Sequence, residues 1–439
     1  MILRAFALAI GFAGATVTAA WAEVDIQEVT SPGGIKAWLV EEPSIPFTAL
    51  DIRFEGGTAL DLPGKRGATN LMMALLEEGA GDMDARAFAE AREGLAARFR
   101  FQSFDDTVSI SAQFLTENRD ESVALLHEAL VNPRFDDDAI ARVKGQVESG
   151  IRRDLKDPDR ISSETYYNLA FGDHPYGVPK EGTLESVAAL TRDDLEAARL
   201  GALALDRVHI GAVGDITAEE LGILLDELLA GLPQEGSELP ARVDYELPGG
   251  VTVVNFEGPQ STAIFGHSGM VRDDPDYFAA FILMEILGGG GVESRLGFEV
   301  REQRGLTYGI ASFLVPKDHS ELVLGRVRSS NETIAEAIDV TRREWTRIAE
   351  EGVTEDELER TKKYLTGAYP LRFDGNANIA GILAGMQTAD LGIDYIATRN
   401  DNVNAVSLEE INRVARELLS GEDLHFVVVG EPVGLDGTN

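Results

Sequence analysis

The sequence predicts an α+β protein made of two homologous domains of about 210 residues each. In each domain we expect a mainly antiparallel sheet with helices packed on one face, and together the two domains would form half of a clamshell. Three observations support this prediction. Segments near the two ends of the chain's first half recur in the second half, each half begins and ends with strand-like segments, and helical patterns lie between those strands.

The repeat is visible in three pairs of segments. "SPGGIKAWLV" at 31–40 resembles "LPGGVTVVNF" at 247–256, and "VHIGAVGDI" at 208–216 resembles "LHFVVVGEP" at 424–432, both at a separation of 216 residues. "DDAIARVKG" from 137 and "EDELERTKK" from 355 lie 218 residues apart. Because three separate matches share nearly one separation, we predict an N-terminal domain at 23–236, a linker at 237–246 and a C-terminal domain at 247–439.

Strands and helices follow from hydrophobic periodicity. Alternating apolar residues in "IKAWLV" and "FTALDIRF" predict strands, and a β-branched segment that ends in glycine closes each half. Apolar residues at helical spacing predict helices in the first half at 66–78, 84–96, 119–131, 136–155 and 191–204.

The first 22 residues have the pattern of a cleaved secretory signal. One arginine precedes a run of small and apolar residues that ends in Ala20-Trp21-Ala22. We therefore expect a periplasmic or secreted protein without a membrane span in its mature form. The formal net charge of −36 disfavours binding to nucleic acid, and the absence of cysteine excludes disulfides and thiolate metal sites.

The sequence contains few of the residue patterns that are typical of catalytic sites. None of its six histidines is paired with another at i, i+4 spacing, and no G-x-S-x-G segment or cysteine nucleophile occurs. The residues alone therefore do not predict a hydrolase that works by itself.

One segment, "EILGGGGVESRLGFEVREQRGLTYGIASFLV" at 285–315, carries two candidate features. Gly288, Gly289, Gly290 and Gly291 could line a cleft or form an ordinary turn between helices. Arg301 and Tyr308 flank a predicted turn between a helix and a strand, with Gly305 placed to end the helix in a left-handed conformation. A guanidinium and a phenol there could hold a peptide carbonyl or a developing oxyanion, or could simply be a surface arginine and a strand tyrosine.

The duplicated α+β domains, "LGGGGVESRLGFEVREQRGLTYGI" and the closing "VVVGE" resemble the pitrilysin/insulinase superfamily. These are the inverzincin metallopeptidases, which include mitochondrial processing peptidase. The resemblance covers essentially the whole mature chain and is most specific between Leu287 and Gly309. It implies that Arg301 and Tyr308 contact the backbone of a substrate.

The same resemblance implies that this chain has lost its zinc site. The family's H-x-x-E-H motif falls on "GATNLMMALLEEGAG". There Asn70 and Ala74 replace the two histidines, and Met73 replaces the glutamate. The third ligand, a glutamate, falls near Gly150, although Glu148 is close enough to leave the alignment open. These residues cannot supply the ligands that Zn²⁺ prefers, so we expect no metal or other cofactor in this chain.

Together these features favour a non-catalytic, substrate-binding subunit of a heterodimeric zinc metalloendopeptidase that acts on exported peptides. Zinc would be bound by a homologous H-x-x-E-H partner chain, and this chain would have no metallopeptidase activity alone. The alternative is a homodimeric clamshell that binds peptides without hydrolysing them.

Overall fold

The computed structural model describes residues 25–289, 291 and 293–435. The predicted signal peptide at 1–22 lies outside the described residues. In this part of the chain no helix combines the length and the apolar character that crossing a membrane requires.

The described elements comprise two large sheets, a two-stranded ribbon and the helices that pack on them. The strands are β1 (Gln27–Thr30), β2 (Lys36–Glu41), β3 (Phe47–Glu55), β4 (Gly79–Ala80), β5 (Met83–Asp84), β6 (Arg98–Ser103), β7 (Thr107–Leu115), β8 (Val208–Gly214), β9 (Gly250–Asn255), β10 (Gln260–Ser268), β11 (Ile310–Lys317), β12 (Ser320–Ser330) and β13 (His425–Gly430). The helices are α1 (Ala68–Leu75), α2 (Ala85–Gly94), α3 (Arg119–Val131), α4 (Asp137–Asp154), α5 (Pro158–Phe171), α6 (Leu184–Ala189), α7 (Arg192–Ala202), α8 (Ala218–Leu228), α9 (Tyr277–Gly288), α10 (Ile334–Glu351), α11 (Glu355–Ala368), α12 (Asn376–Thr388), α13 (Tyr395–Ala405) and α14 (Leu408–Leu418).

Apart from the additional edge strand β1 of the first sheet, the two large sheets have the same strand order when the second is followed from β9 to β11. The first runs β1-β2-β8-β3-β7-β6 and the second runs β11-β12-β10-β13-β9. In both, one parallel pair, β2 with β8 or β9 with β13, is followed by antiparallel strands only. The predicted α+β class with mainly antiparallel sheets is therefore confirmed. The shared order is what duplication of one domain would produce, while the domain bounds stay predictions.

All five predicted helices of the first half are present within a few residues of their predicted ends, as α1, α2, α3, α4 and α7. Each half has its own hydrophobic core between the sheet and the helices on one face. This arrangement follows from the amphipathic pattern of the helices.

The opposite face of each sheet is covered by a helix from the other half, which the sequence analysis did not predict. Helix α12 of the second half packs on β3 and β8, where Leu383 and Ala380 meet Ala49 and Val213. Helix α5 of the first half packs on β10 and β13 of the second sheet, with Tyr166 and Phe171 in the contact. The two halves therefore exchange one helix each.

The exchange explains two sequence features of the first sheet. Strand β3 is buried almost continuously rather than at alternate positions, because both of its faces are covered. At Gly211 on β8, an added Cβ would lie 2.1 Å from the carbonyl oxygen of Ala380, so only glycine permits this approach of the helix backbone.

Candidate functional site

Helix α1 carries the positions of the degenerate zinc motif. Gly67, with φ of +90°, precedes the helix, and the Asp61 carboxylate accepts hydrogen bonds from the N–H groups of Gly67 and Thr69. This carboxylate satisfies the free N–H groups at the start of the helix. The helix is thus well formed without a metal.

The three motif positions on α1 point to different environments. Asn70 is half-buried, and its Oδ1 accepts a hydrogen bond of 2.9 Å from the Ser103 hydroxyl. Met73 is buried in the first core, and Ala74 is exposed. Thus the position of the first histidine holds an amide that is already hydrogen-bonded, and the other two hold groups with no affinity for Zn²⁺.

The candidate third position lies on α4, which packs against α1. Gly150 has no side chain to offer a metal, and Glu148 forms an ion pair of 2.9 Å with Arg152. Among the residues that the structure describes, no group of three or more His, Cys, Asp or Glu side chains could hold a metal ion. The residues at this position do not fit zinc, whichever of the two alignments is used.

Cationic side chains surround the same end of α1. Lys180 donates from Nζ to the backbone carbonyl of Ser103, the residue whose hydroxyl binds Asn70. Arg66 lies one turn before Asn70, its Nη1 is buried without a hydrogen-bond partner, and burial lowers the pKa of its guanidinium. Positive charge near Asn70 would further weaken binding of a divalent cation.

Arg301 and Tyr308 lie on either side of a tightly held turn. Arg301 belongs to a short π-helical segment, Gly297–Glu302, and the following Gly305 has φ of +63° and donates its N–H to the Arg301 carbonyl at 2.9 Å. The predicted left-handed glycine is therefore confirmed. A buried leucine, Leu306, then leads into the turn that carries Tyr308.

Hydroxyl groups fix this turn to strand β12. Thr307 donates to the carbonyl of Arg328 at 2.6 Å and accepts from the N–H of Gly309, while Ser329 donates to the carbonyl of Leu306 at 2.5 Å. These bonds are made by the residues next to Tyr308 and leave its own ring free. The backbone at Tyr308 is therefore rigidly placed while its side chain is not used for packing.

Both side chains are open to solvent. Tyr308 is 90% exposed, and the Arg301 side chain is 45% exposed, with its Nε 3.5 Å from Oε1 of Glu302. Neither residue lines the cavity between the two halves of the chain. Their exposure leaves a guanidinium and a phenol hydroxyl available as hydrogen-bond donors.

A series of polar contacts connects the turn with the region around α1. Arg328, whose carbonyl accepts from Thr307, forms an ion pair with Asp159 in the first turn of the exchanged helix α5. The next residue, Arg160, forms an ion pair of 3.1 Å with Glu181, which follows Lys180. The exchanged helix thus joins the two candidate regions across the halves.

The described glycines of the 288–291 run serve packing. Gly288 ends α9, and an added Cβ there would lie 2.1 Å from the Ser312 hydroxyl on β11. Gly289 caps the helix, Gly291 is exposed, and Gly290 lies outside the described residues. That this run borders a peptide chamber stays a prediction.

Sequence reasoning missed the cavity between the halves, which has a volume of about 1250 Å³. It is lined by residues from the end of β3, the linker, the start of α9, the turn between β11 and β12, and α12. No local motif marks these residues, because they come together only through the exchange of helices. Helix α5 itself could have been found from Asp157-Pro158, an N-cap followed by proline at the first helical position.

Comparisons with known proteins agree on the family resemblance. Residues 189–365 match the family model described as the peptidase M16 inactive domain. A crystal structure of a peptidase M16 inactive domain from Pseudomonas fluorescens is similar, with a TM-score of 0.87 and 26% identity, over 94% of this chain and 100% of that one. A protease structure from Helicobacter pylori shares the fold with a TM-score of 0.81 and 15% identity, over 93% of this chain and 100% of that one.

Curated relatives have names of two kinds. A protein of Helicobacter pylori named non-peptidase homolog YmxG is 24% identical over 89% of this chain and 90% of its own length. A protein of Bacillus subtilis named uncharacterized zinc protease YmxG is 23% identical over 92% of this chain and 98% of its own length. This chain therefore resembles relatives over nearly their whole length.

Proposed function

We propose that this chain, which resembles the M16 peptidase family in sequence at residues 189–365 and in fold, is the substrate-binding subunit of a heterodimeric zinc endopeptidase. It is a non-catalytic M16-like protein, in keeping with the inactive-domain match and with a relative named as a non-peptidase. In the proposal, zinc is held by a homologous partner chain that carries H-x-x-E-H. The substrates are exported peptides, and the enzyme acts in the periplasm or outside the cell.

One contrast carries the proposal. The helix that would hold zinc is intact as a scaffold but has Asn70, Met73 and Ala74 in place of ligands, whereas Arg301 and Tyr308 are exposed on a turn held by hydrogen bonds. A chain that had lost all contact with substrate would have no need of two free donors on a rigid turn. Retained donors without a metal fit a subunit that holds the peptide while another chain cleaves it.

Arg301 and Tyr308 can act on a peptide by hydrogen bonding. The guanidinium has several N–H donors and stays protonated, and the phenol adds one O–H donor. Directed at the carbonyl of the scissile bond, they would orient the peptide and stabilise negative charge that develops on the oxygen during attack by water. This contribution needs no metal in this chain.

The proposal is tested by combining this chain with the H-x-x-E-H homologue from the same source. We expect cleavage of a fluorogenic peptide only when both chains are present, and loss of cleavage with a chelator. Arg301→Ala should lower kcat/KM by about 10²-fold, the usual effect of removing a donor to an oxyanion. Tyr308→Phe, which removes only the hydroxyl, should also lower it.

Matched variants separate this role from general effects on charge or folding. Arg343 on α10 is exposed and has no ion pair with any residue that the structure describes, and Tyr364 on α11 is 62% exposed. Arg343→Ala and Tyr364→Phe should leave turnover unchanged. Full turnover by the Arg301→Ala complex, with both chains still associated, would remove the proposed role.

The homodimeric peptide-binding clamshell is distinguished by the size and composition of the native complex. Two different chains support the proposal. A single polypeptide species that binds peptides and never hydrolyses them, with or without the homologue, would favour the clamshell instead.

A further inference from the structure

The cavity between the halves has two chemically different walls. Toward the end of β3 and the turn between β11 and β12, the wall carries the carboxylates of Glu55 and Asp318, and Asp390, which follows α12, adds its negative charge near Asp318. The two arginines on this side already have partners, because Arg53 pairs with Asp51 and Arg242 pairs with Glu321. The opposite wall is built from the residues before and at the start of α9, the segment between α11 and α12, and α13; it carries three arginines and several aromatic rings, and Asp273 also lines it.

Two guanidinium groups on that second wall lie against aromatic rings, and the charge of a third, that of Arg372, acts on Arg399. Arg272 lies 4.1 Å from the ring centre of Tyr277 and donates from Nη2 to the Tyr395 hydroxyl at 2.5 Å. Arg399 lies 4.4 Å from the ring centre of Tyr369. Arg372 completes the group, which we call the arginine–aromatic wall: Arg272, Arg372 and Arg399 with Tyr277, Tyr369 and Tyr395.

No carboxylate neutralises these three arginines. None of them has an ion pair with any described residue, although acidic residues outnumber basic ones by 75 to 39 in the whole chain. Burial lowers the pKa of Arg399, and the charge of Arg372 lowers it further. Gathering like charges on a partly desolvated wall costs free energy, which a bound anion would offset.

We propose that this cavity binds the C-terminal carboxylate of a peptide, with an aromatic or large apolar last side chain packed on the arginine–aromatic wall. Arginine suits a carboxylate because its planar N–H donors match the two oxygens. The tyrosine rings, with Phe278 and Phe281 beside them, offer apolar surface for the last side chain.

The rest of the cavity favours a peptide over a smaller or more highly charged anion. Its volume of about 1250 Å³ exceeds the range of pockets for drug-sized ligands, about 300–1,000 Å³. Glu55, Asp318 and Asp390 on the facing wall would repel a nucleotide or polyphosphate. The same carboxylates can accept hydrogen bonds from the N–H groups of a peptide backbone.

This site is separate from the Arg301 and Tyr308 turn and lies within one chain. It does not rest on the proposed function, because the isolated chain is expected to bind without the zinc partner. Failure of peptide binding here would leave the two-chain peptidase intact, and failure of cleavage by the two-chain complex would leave this site intact.

The test is calorimetric titration of the full chain with N-acetyl-Ala-Ala-Leu-Phe carrying a free carboxylate. We expect the C-terminal amide of the same peptide to bind at least about tenfold more weakly, because a hydrogen bond to a charged group is worth about 1.5–3 kcal/mol. N-acetyl-phenylalanine and inorganic phosphate serve as the small carboxylate and the simple anion. Both should bind more weakly than the tetrapeptide.

Arg372→Gln is the informative variant, since Arg372 is exposed and its loss should not unfold the protein. It should weaken binding of the free-carboxylate peptide about tenfold and leave the melting temperature unchanged. Arg360→Gln is the control, because Arg360 is also exposed and forms no ion pair within the described part of the chain, but lies on α11 outside the cavity. It should leave binding unchanged.

Four results would overturn the assignment. Equal affinity for the acid and the amide, or no binding of either, would remove the carboxylate site. Phosphate or N-acetyl-phenylalanine binding as tightly as the tetrapeptide would make the ligand a simple anion or a small aromatic acid. Arg372→Gln with the affinity of Arg360→Gln would remove the arginine–aromatic wall from the site.

Discussion

Replacing Leu383 by alanine should destabilise both halves of the protein together. Leu383 belongs to the second half, on α12, yet its side chain is fully buried against the first sheet with Ala49 and Val213. If the exchanged helix stabilises the sheet that it covers, truncating Leu383 must lower the free energy of unfolding of the first half. It must also lower that of the second half, to which Leu383 belongs.

The neighbours of Leu383 set the expected magnitude. Burial of leucine is normally worth about 2–5 kcal/mol relative to alanine, and the cost is greatest where the surroundings cannot collapse into the space. Here the facing strands offer Ala49 and Val213, and the helix offers Ala380, all small and fully buried. We therefore expect a loss of about 3 kcal/mol in the free energy of unfolding.

Two tryptophans allow each half to be followed separately. Trp38 on β2 packs against the cluster that contains Leu383, and Trp345 is fully buried in the second core. In urea unfolding, a variant with only Trp38 and a variant with only Trp345 should report the same midpoint, and Leu383→Ala should lower both equally. Leu371→Ala, at a leucine 80% exposed in the same half, should change the free energy by less than about 0.5 kcal/mol.

A midpoint that moves for Trp345 but not for Trp38 would refute the reasoning. It would mean that the first sheet is stable without the exchanged helix and that the two halves unfold independently.

Two further predictions concern zinc and pH. The isolated chain, dialysed against Zn²⁺, should hold well under one zinc per chain by mass spectrometry, and stoichiometric zinc lost in Asn70→Ala would contradict our interpretation of α1. Burial in the cavity wall, together with the nearby Asp106, raises the pKa of Asp318 to about 7. Because the folded state holds the Asp318 proton more tightly than the unfolded state, the protonated carboxyl group contributes to the free energy of unfolding. This contribution is complete below the pKa of the unfolded state, about 3.9, and is lost as pH rises through the folded-state pKa of about 7. Asp318→Asn should therefore gain stability relative to the native protein between pH 5 and 8, as measured by thermal melts, while Asp374→Asn at an exposed carboxylate should not.

Local sequence patterns predicted those parts of the fold that depend on neighbours along the chain. Helices such as 119–131 and 136–155 were placed within a residue of their ends, because the helical spacing of apolar residues is a pattern that acts over one or two turns. The left-handed Gly305 followed from the same kind of local signal. The prediction that zinc chemistry is lost at Asn70, Met73 and Ala74 rests on residue identity alone, once the resemblance located the motif.

Other features were invisible in the sequence because they depend on contacts between distant residues. The burial of β3 on both faces requires Leu383, more than 300 positions away, to lie against it. The placement of Tyr308 depends on the hydroxyls of Thr307 and Ser329, which join the backbone of the turn to that of β12, about 20 residues further along the chain. No window of neighbouring residues contains that information.

By itself the sequence determined the α+β class with its mainly antiparallel sheets and the positions of five helices in the first half, since each depends on residue type and short-range spacing. Only the tertiary structure decided that the halves exchange α5 and α12 and that three arginines without an ion pair to any described residue gather with aromatic side chains in the cavity between them. The physical reason is that the burial of a side chain and the pairing of its charge depend on which surfaces contact each other. These surfaces come from segments that lie far apart along the chain.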